Sequence, residues 1–158
     1  MKKTGLPSSE NSYLKDYVYL ITSSLKKLAN IEIVDFSLSL EDQAKQAFNS
    51  NYVLLAHNGA NEPIFNYANK TALKLFEMSW EEFTTMPSKY SAESDERGKR
   101  EQFLADVAEN GYSKNYSGIR ISKSGRRFEI KKVILWNVYD SENNRIGQAA
   151  VFDEYNYL

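Results

Sequence analysis

Between Tyr112 and Asp153 the chain alternates apolar and polar residues in three runs divided by two short turn-forming stretches, a pattern that commits it to an antiparallel sheet. Tyr112 to Ser122 runs into Lys123, Ser124 and Gly125; Arg127 to Asp140 runs into Glu142, Asn143 and Asn144; Arg145 to Asp153 completes the set. In the middle run Phe128, Ile130, Ile134, Trp136 and Val138 share one parity, yet Val133, Leu135 and Tyr139 are apolar on the other. Both faces of the sheet therefore need a cover.

Helices upstream can supply it. Leu14, Tyr17, Val18, Ile21, Leu25 and Leu28 recur at helical steps, which predicts an amphipathic helix from about Tyr13 to Leu28. Its apolar stripe is the natural cover for one sheet face, from its own chain or from a second copy. After the short β-branched run Ile31 to Phe36, the cap-like spacing of Ser39 and Asp42 predicts a second helix ending near Asn49. Tyr52 to His57 (YVLLAH) reads as a strand closed by Asn58, Gly59 and Asn61. In PIFNYANKTALKLFEMSWEEF, Pro63 to Tyr67 suits a strand, Asn69 an N-cap, and Ser79 with Glu82 a capping box opening a further helix. A longer helix is expected from Asp95 to Asn110, with Phe103, Leu104, Val107 and Ala108 inward and Gly111 ending it.

Composition excludes several functions. The chain has no cysteine, so disulfides and thiolate chemistry are ruled out. Net charge is -1, which offers no general attraction to nucleic acid or anionic membrane. No apolar run approaches the roughly 20 residues that span a bilayer, and MKKTGLPSSENS has no secretory apolar core, so a cytoplasmic protein is expected. At 158 residues one domain is expected. Eleven Tyr, eight Phe and two Trp suit a core bordering a ligand cavity, and equally suit an ordinary aromatic core.

The element order, two strands, several helices, then three antiparallel strands, resembles a PAS fold. More narrowly, PIFNYANKTALKLFEMSWEE, YSGIRISKSGRRF, VILWNV and GQAAVF, in that order, resemble the MEKHLA domain, a PAS-like family, in its free-standing bacterial form. The resemblance runs from Tyr13 to Phe152. It implies an α+β, PAS-like five-stranded antiparallel sheet with helices on one face and an additional N-terminal amphipathic helix. The expected division is a flexible tail at 1–11, a helical extension at 12–50 and the PAS-like domain at 51–158. Plant relatives end homeodomain leucine-zipper transcription factors, which implies a regulatory role; with no zipper or DNA-binding segment here, a signal would pass through a protein partner or a homodimer. Flavin-cysteine photochemistry of the light-oxygen-voltage kind is excluded, and haem is not expected, because the long helix holds no histidine. The cofactor, if one exists, is unnamed by the sequence.

Among individual residues, His57 is the only histidine, and its plain reading is a strand-end residue without function. Gln148 shares parity with Ala150 and Phe152 and so points inward, where its amide needs a partner: a ligand, a backbone group or Asn69. Arg120 is read as solvent-facing, opposite Ile119 and Ile121. Lys114, Arg120, Lys123, Arg126, Arg127, Lys131 and Lys132 form a basic run that, beside Tyr112 and Tyr116, suits an RNA- or phosphate-binding edge, but its plainer reading is that it keeps hairpin edges soluble, and nucleic acid is not expected to bind it. Glu81-Glu82 and Asp95-Glu96 suit helix N-termini, no activated nucleophile or phosphate loop is evident, and no metal-ligand spacing occurs, so neither enzyme activity nor a metal is expected. The expected function is a sensory or regulatory module binding a small apolar or aromatic ligand, lined by Phe65, Tyr67, Asn69, Leu73, Phe76, Phe103, Trp136 and Gln148. The alternative is a ligand-free homodimerisation domain with a solid aromatic core.

Overall fold

The computed structural model describes residues 5–158. Five antiparallel strands, β1 (Val53–His57), β2 (Phe65–Ala68), β3 (Tyr112–Ile121), β4 (Arg127–Tyr139) and β5 (Arg145–Phe152), lie in the spatial order β2-β1-β5-β4-β3. Beyond Asp153 the chain pairs again as β6 (Glu154–Tyr157), which runs beside Phe128 to Lys131 of β4. The helices are α1 (Lys15–Ala29) and α2 (Leu40–Asn49) before the sheet, and α3 (Lys70–Phe76), α4 (Trp80–Phe83) and α5 (Ser94–Asn110) between β2 and β3.

Local chemistry accounts for the helix boundaries. The Ser39 hydroxyl accepts the Asp42 N–H at 3.1 Å, the Asn69 side chain accepts the Ala72 N–H at 3.0 Å, and Ser79 and Glu82 satisfy each other's backbone N–H at 3.1 and 3.0 Å. Gly111 closes α5 at φ +103°, donating its N–H to Val107 at 2.8 Å. Ile31 to Phe36 forms no strand; it is a connection held by the Tyr52 hydroxyl on the Ile33 carbonyl (2.7 Å) and by the Asp35 N–H on Gln46 (2.7 Å). Of the stretch expected as a tail, residues 1–4 lie outside the described residues, and Ser8 caps a short 3-10 segment, Ser9–Leu14.

The sheet is covered on both faces, and α1 covers one of them from within the same chain. Val18, Ile21 and Leu25 pack with Trp136, Val138, Ala149 and Val151. Two hydrogen bonds fix that contact: Trp136 Nε1–H donates to the Ile21 carbonyl at 2.9 Å, and Ser24 Oγ accepts the Tyr139 N–H at 2.9 Å. On the other face Phe65, Phe128, Ile130, Val133 and Leu135 of the strands pack with Phe76, Phe83 and Val107 of α3, α4 and α5.

One expectation about β4 is corrected. Phe128 and Ile130 do not share a face with Ile134, Trp136 and Val138; they side with Val133 and Leu135. The cause is a pair of bulges. The β3–β4 register shifts between Ser113 and Tyr116, where Asn115 takes φ +66°, and back between Tyr116 and Gly118, opposite Lys132 at φ +53°. An extra residue in a strand inverts the alternation beyond it, so Trp136 faces α1 and not the helices of the other face.

Candidate functional site

A cavity of about 40 Å³ lies between the sheet and α5, room for roughly three waters. Its apolar walls come from Leu55, Phe65, Phe76, Phe103, Ile130, Val133, Leu135 and Phe152. The aromatic rings brace one another: Phe65 stacks on Phe83 (4.2 Å between ring centres), Phe76 meets Phe128 edge-on (5.3 Å), and Phe103 stacks on Tyr116 (4.1 Å). Their positions follow from alternation on β2, β3 and β4 and from helical spacing on α5.

The remaining wall is polar. His57 and Gln148 line it as cross-strand partners on β1 and β5, with Asn137 of β4 behind Gln148. Gln148 Nε2 donates to the Leu104 carbonyl of α5 at 3.0 Å and to Asn137 Oδ1 at 3.2 Å, while Asn137 Nδ2 donates to the Ala108 carbonyl at 3.1 Å. This row joins the sheet to the backbone of α5. His57 Nδ1 accepts the Gly59 N–H at 3.1 Å, so the neutral ring carries its proton on Nε2, which is buried with no partner within 3.5 Å, although the Gln148 side chain is near enough to favour the charged ring slightly. Burial, then the charges of Arg100 and Arg145, push the His57 pKa down to about 3 against a smaller opposing effect of Gln148, so the ring is neutral at pH 7. The close approach that seats His57 depends on Gly147, where a Cβ would stand 2.2 Å from the His57 carbonyl oxygen.

Two arginines reach the same cavity. Arg100 of α5 is 5% exposed and donates to Ser88 Oγ at 2.7 Å; Arg120 of β3 is 8% exposed and donates to the Tyr116 hydroxyl and the Ile119 carbonyl, each at 3.0 Å. The solvent-facing reading of Arg120 is thereby overturned. Tyr116, Gly118 and Arg120 form the inward parity of β3, and Ile119 and Ile121 are the half-exposed ones. Gly118 leaves space for this arrangement, since a Cβ there would lie 2.7 Å from the Tyr116 hydroxyl and 2.9 Å from Arg120 Nη1. Burial, followed by the Arg120 charge, pulls the Arg100 pKa down to about 10, still protonated at neutral pH. A solvent-open cleft of about 460 Å³ adjoins the cavity, with His57, Arg100, Leu104 and Gln148 common to both.

Of the residues singled out from sequence, Phe65, Phe76, Phe103 and Gln148 meet at this cavity. Tyr67 and Trp136 lie on the α1 face, with Tyr67 edge-on to Trp80 at 5.9 Å. Leu73 packs at the margin of both cores. Asn69 is spent on backbone: its Oδ1 accepts the Leu54 and Ala72 N–H groups at 3.1 and 3.0 Å, and its Nδ2 donates to the Tyr52 carbonyl at 2.8 Å. Gln148 thus finds its partners in a backbone carbonyl and Asn137, not in Asn69. Sequence reading missed Arg100, although it stands at i, i+3, i+4 and i+7 with Phe103, Leu104 and Val107, a cation set inside an apolar stripe.

The basic run of the hairpin is largely neutralised within the chain. Arg127 pairs with Glu93 at 2.7 Å, Lys132 with Glu154 at 3.3 Å and Lys123 with Glu82, while Arg126 stacks over the Tyr157 ring. Among the described residues no cluster of three potential metal ligands occurs, and no helix is long and apolar enough to cross a membrane. With no cysteine, no flavin-cysteine adduct can form.

Comparison with solved structures finds PAS architecture at low sequence identity, which bears on fold alone. The chain is similar to the PAS domain of a protein from Colwellia psychrerythraea (TM-score 0.60, 15% identity, covering 75% of this chain and 96% of that one). It is also similar to a PAS domain of a two-component sensor histidine kinase (TM-score 0.55, 18% identity, 72% and 91% covered) and to a light-oxygen-voltage domain studied with a flavin analogue (0.58, 14%, 78% and 87%). No curated protein matches significantly. The MEKHLA domain model matches residues 15–157, so α1 and α2 fall inside the match together with the sheet, and on that near-complete span the chain belongs to the MEKHLA domain family.

Proposed function

We propose that this chain is a sensory or regulatory module that takes a small molecule with an apolar body into the cavity between the sheet and α5, and passes occupancy on through protein contacts. One observation carries the reading: sheet and helix share the cavity wall, and Gln148 hydrogen-bonds the Leu104 carbonyl, so a guest that engages Gln148 alters the seating of α5. The lining proposed for that guest is Phe65, Phe76, Phe103 and Gln148 from the sequence reading, joined by Tyr116, Arg100 and Arg120. A guest as large as an aromatic ring exceeds the space of about 40 Å³ and requires Phe103 and α5 to move outward. The reading assigns no catalytic role; His57 is neutral and, among the described residues, has no carboxylate orienting it.

Native mass spectrometry with an absorption spectrum of freshly purified protein tests this, followed by thermal-shift screening of small aromatic and aliphatic compounds. Retained or stabilising small molecules support the module; no adduct and no stabilisation by any compound would leave the second reading, a ligand-free interaction domain. The small size of the cavity favours that alternative. Because the stripe of α1 is used on its own sheet, a homodimer contact under this reading falls on the exposed side of α1 and the start of α2, where Tyr19, Leu38 and Leu40 are exposed. Light scattering of Leu40→Asp checks it, and an unchanged dimer mass would reject that contact.

A further inference from the structure

Four of the polar groups at the cavity have donors to spare, beside the Ser91 hydroxyl and the Gln148 amide, which can also accept. Arg100 and Arg120 are guanidinium donors, His57 Nε2 carries a proton with no acceptor within 3.5 Å and only the Gln148 side chain near it, and the Tyr116 hydroxyl, already accepting from Arg120, has its own proton left to give. Neither arginine forms an ion pair among the described residues, whose salt bridges all lie elsewhere on the surface. Arg100 feels Glu101 and Tyr116 only at Coulombic range and is opposed by Arg120. Two buried like charges without a carboxylate, beside an unused buried donor, form an arrangement that water alone compensates poorly and an anion compensates well.

We propose that the cavity is a site for a small organic monocarboxylate, its carboxylate held between Arg100 and Arg120 with His57 Nε2–H as a further donor, and its short apolar tail directed at Ile130 and Phe152. This rests on the preceding reading that the cavity admits a small molecule, and adds the charge and size of that molecule. Planar guanidiniums suit a carboxylate because their paired N–H groups match its two oxygens. The space of about 40 Å³ holds the tail of two or three carbons with the present walls in place, and the carboxylate takes the adjoining end, where Arg100 and His57 also line the outer cleft. The outer cleft supplies a route, since Arg100 and His57 line both spaces and Arg145 lies along it, while Lys89 at its rim is paired with Glu62 at 3.4 Å and Glu101 also lines it.

The test is a titration of the full chain, followed by ¹H–¹⁵N NMR and thermal shift, with propionate and butyrate, their uncharged amides propionamide and butyramide, and inorganic phosphate and chloride. The expected result is that butyrate binds at least tenfold more tightly than butyramide, with shifts at Gln148, Leu104 and Arg120, and that Arg120→Met abolishes this preference while Arg120→Lys keeps part of it. Removing an unpaired buried cation should leave Arg120→Met at least as thermostable as the unmodified protein without added carboxylate. Equal binding of acid and amide would overturn the anion assignment while sparing the small-molecule reading. Binding of phosphate or chloride alone would overturn the organic acid. Silence toward every probe would overturn both. If Arg120→Met does not fold, the acid-to-amide ratio in the unmodified protein decides the matter by itself.

Discussion

The two faces of the sheet are built from the same kinds of residue and finished differently. Beneath α1 the core closes: Trp136 is fully buried, its indole N–H is satisfied by Ile21, and the Tyr139 N–H is satisfied by Ser24, the Tyr67 hydroxyl being the one side-chain atom of that cluster buried without a partner among the described residues. Beneath α5 the core stays open, with unfilled space, two buried guanidiniums and a histidine nitrogen without a partner. Helix composition explains much of the contrast. The buried face of α1 carries Val18, Ile21 and Leu25 with two small hydroxyl residues, Thr22 and Ser24, whereas α5 presents only Val107 as a fully buried apolar side chain among the described ones, beside half-buried Phe103 and Leu104 and buried Arg100. A fold can tolerate such a face when the other holds it together. Stability concentrated on one side leaves the other less tightly held, as the proposed small-molecule site requires.

The contrast can be broken most directly by deleting residues 1–29. Val18, Ile21 and Leu25 together stabilise by roughly 5 to 9 kcal/mol, comparable to the net stability of a domain, so the truncated chain should lose cooperative folding rather than yield a well-folded monomer. A sharp thermal transition retained in circular dichroism would show that α1 is dispensable. Trp136→Ala should cost about 3 to 5 kcal/mol in urea unfolding, from lost packing and the lost bond to Ile21. Phe103→Ala, on the open and half-exposed face, should cost less, about 1 to 2 kcal/mol. Equal costs for the two would erase the proposed difference between the faces.

Acid sharpens the comparison, because His57 belongs to the open face. Its folded pKa of about 3 lies below the ordinary value of 6.5, so the unfolded chain binds the proton more readily between those values. The contribution is fully present above pH 6.5 and is lost as pH falls toward 3, at about 1.4 kcal/mol per pH unit once below 6.5. Urea unfolding at pH 7.5, 6 and 5 should show a steeper loss for the unmodified protein than for His57→Gln; parallel slopes would mean that the ring is not held neutral. The smallest expected effect is Ser24→Ala, about 1 kcal/mol from the unpaired Tyr139 N–H, readable as a small shift of the urea midpoint.

Much of this was legible in the chain because it is decided over a few residues. The Asn69 and Ser79 caps, the end of α5 at Gly111 and the β3–β4 turn at Gly125 each depend on neighbours within one helical or hairpin turn. Membership of the MEKHLA domain family was legible for the same reason, through motifs kept in order. The site was only partly so. Phe65, Phe76, Phe103 and Gln148 were reached by parity and spacing, while Trp136 was placed with them because simple alternation was carried through Lys132, whose positive φ marks a bulge that no residue type there announces.

Arg120 fails in the opposite sense. Its parity partners Tyr116, Gly118 and Ser122 look polar and small, so the inward face of β3 reads as the outward one until α5 is seen lying over it. Arg100 could be noticed as a cation in an apolar stripe, but that it shares a cavity with Arg120 depends on a helix and a strand meeting across the core. The sequence by itself determined the elements, their ends and the need for two covers on the sheet, because periodicity and capping are local. Only the tertiary structure decided which face each strand residue serves and that two guanidiniums share one cavity without an acid among the described residues, because bulges and helix docking are settled by packing between segments distant in the chain.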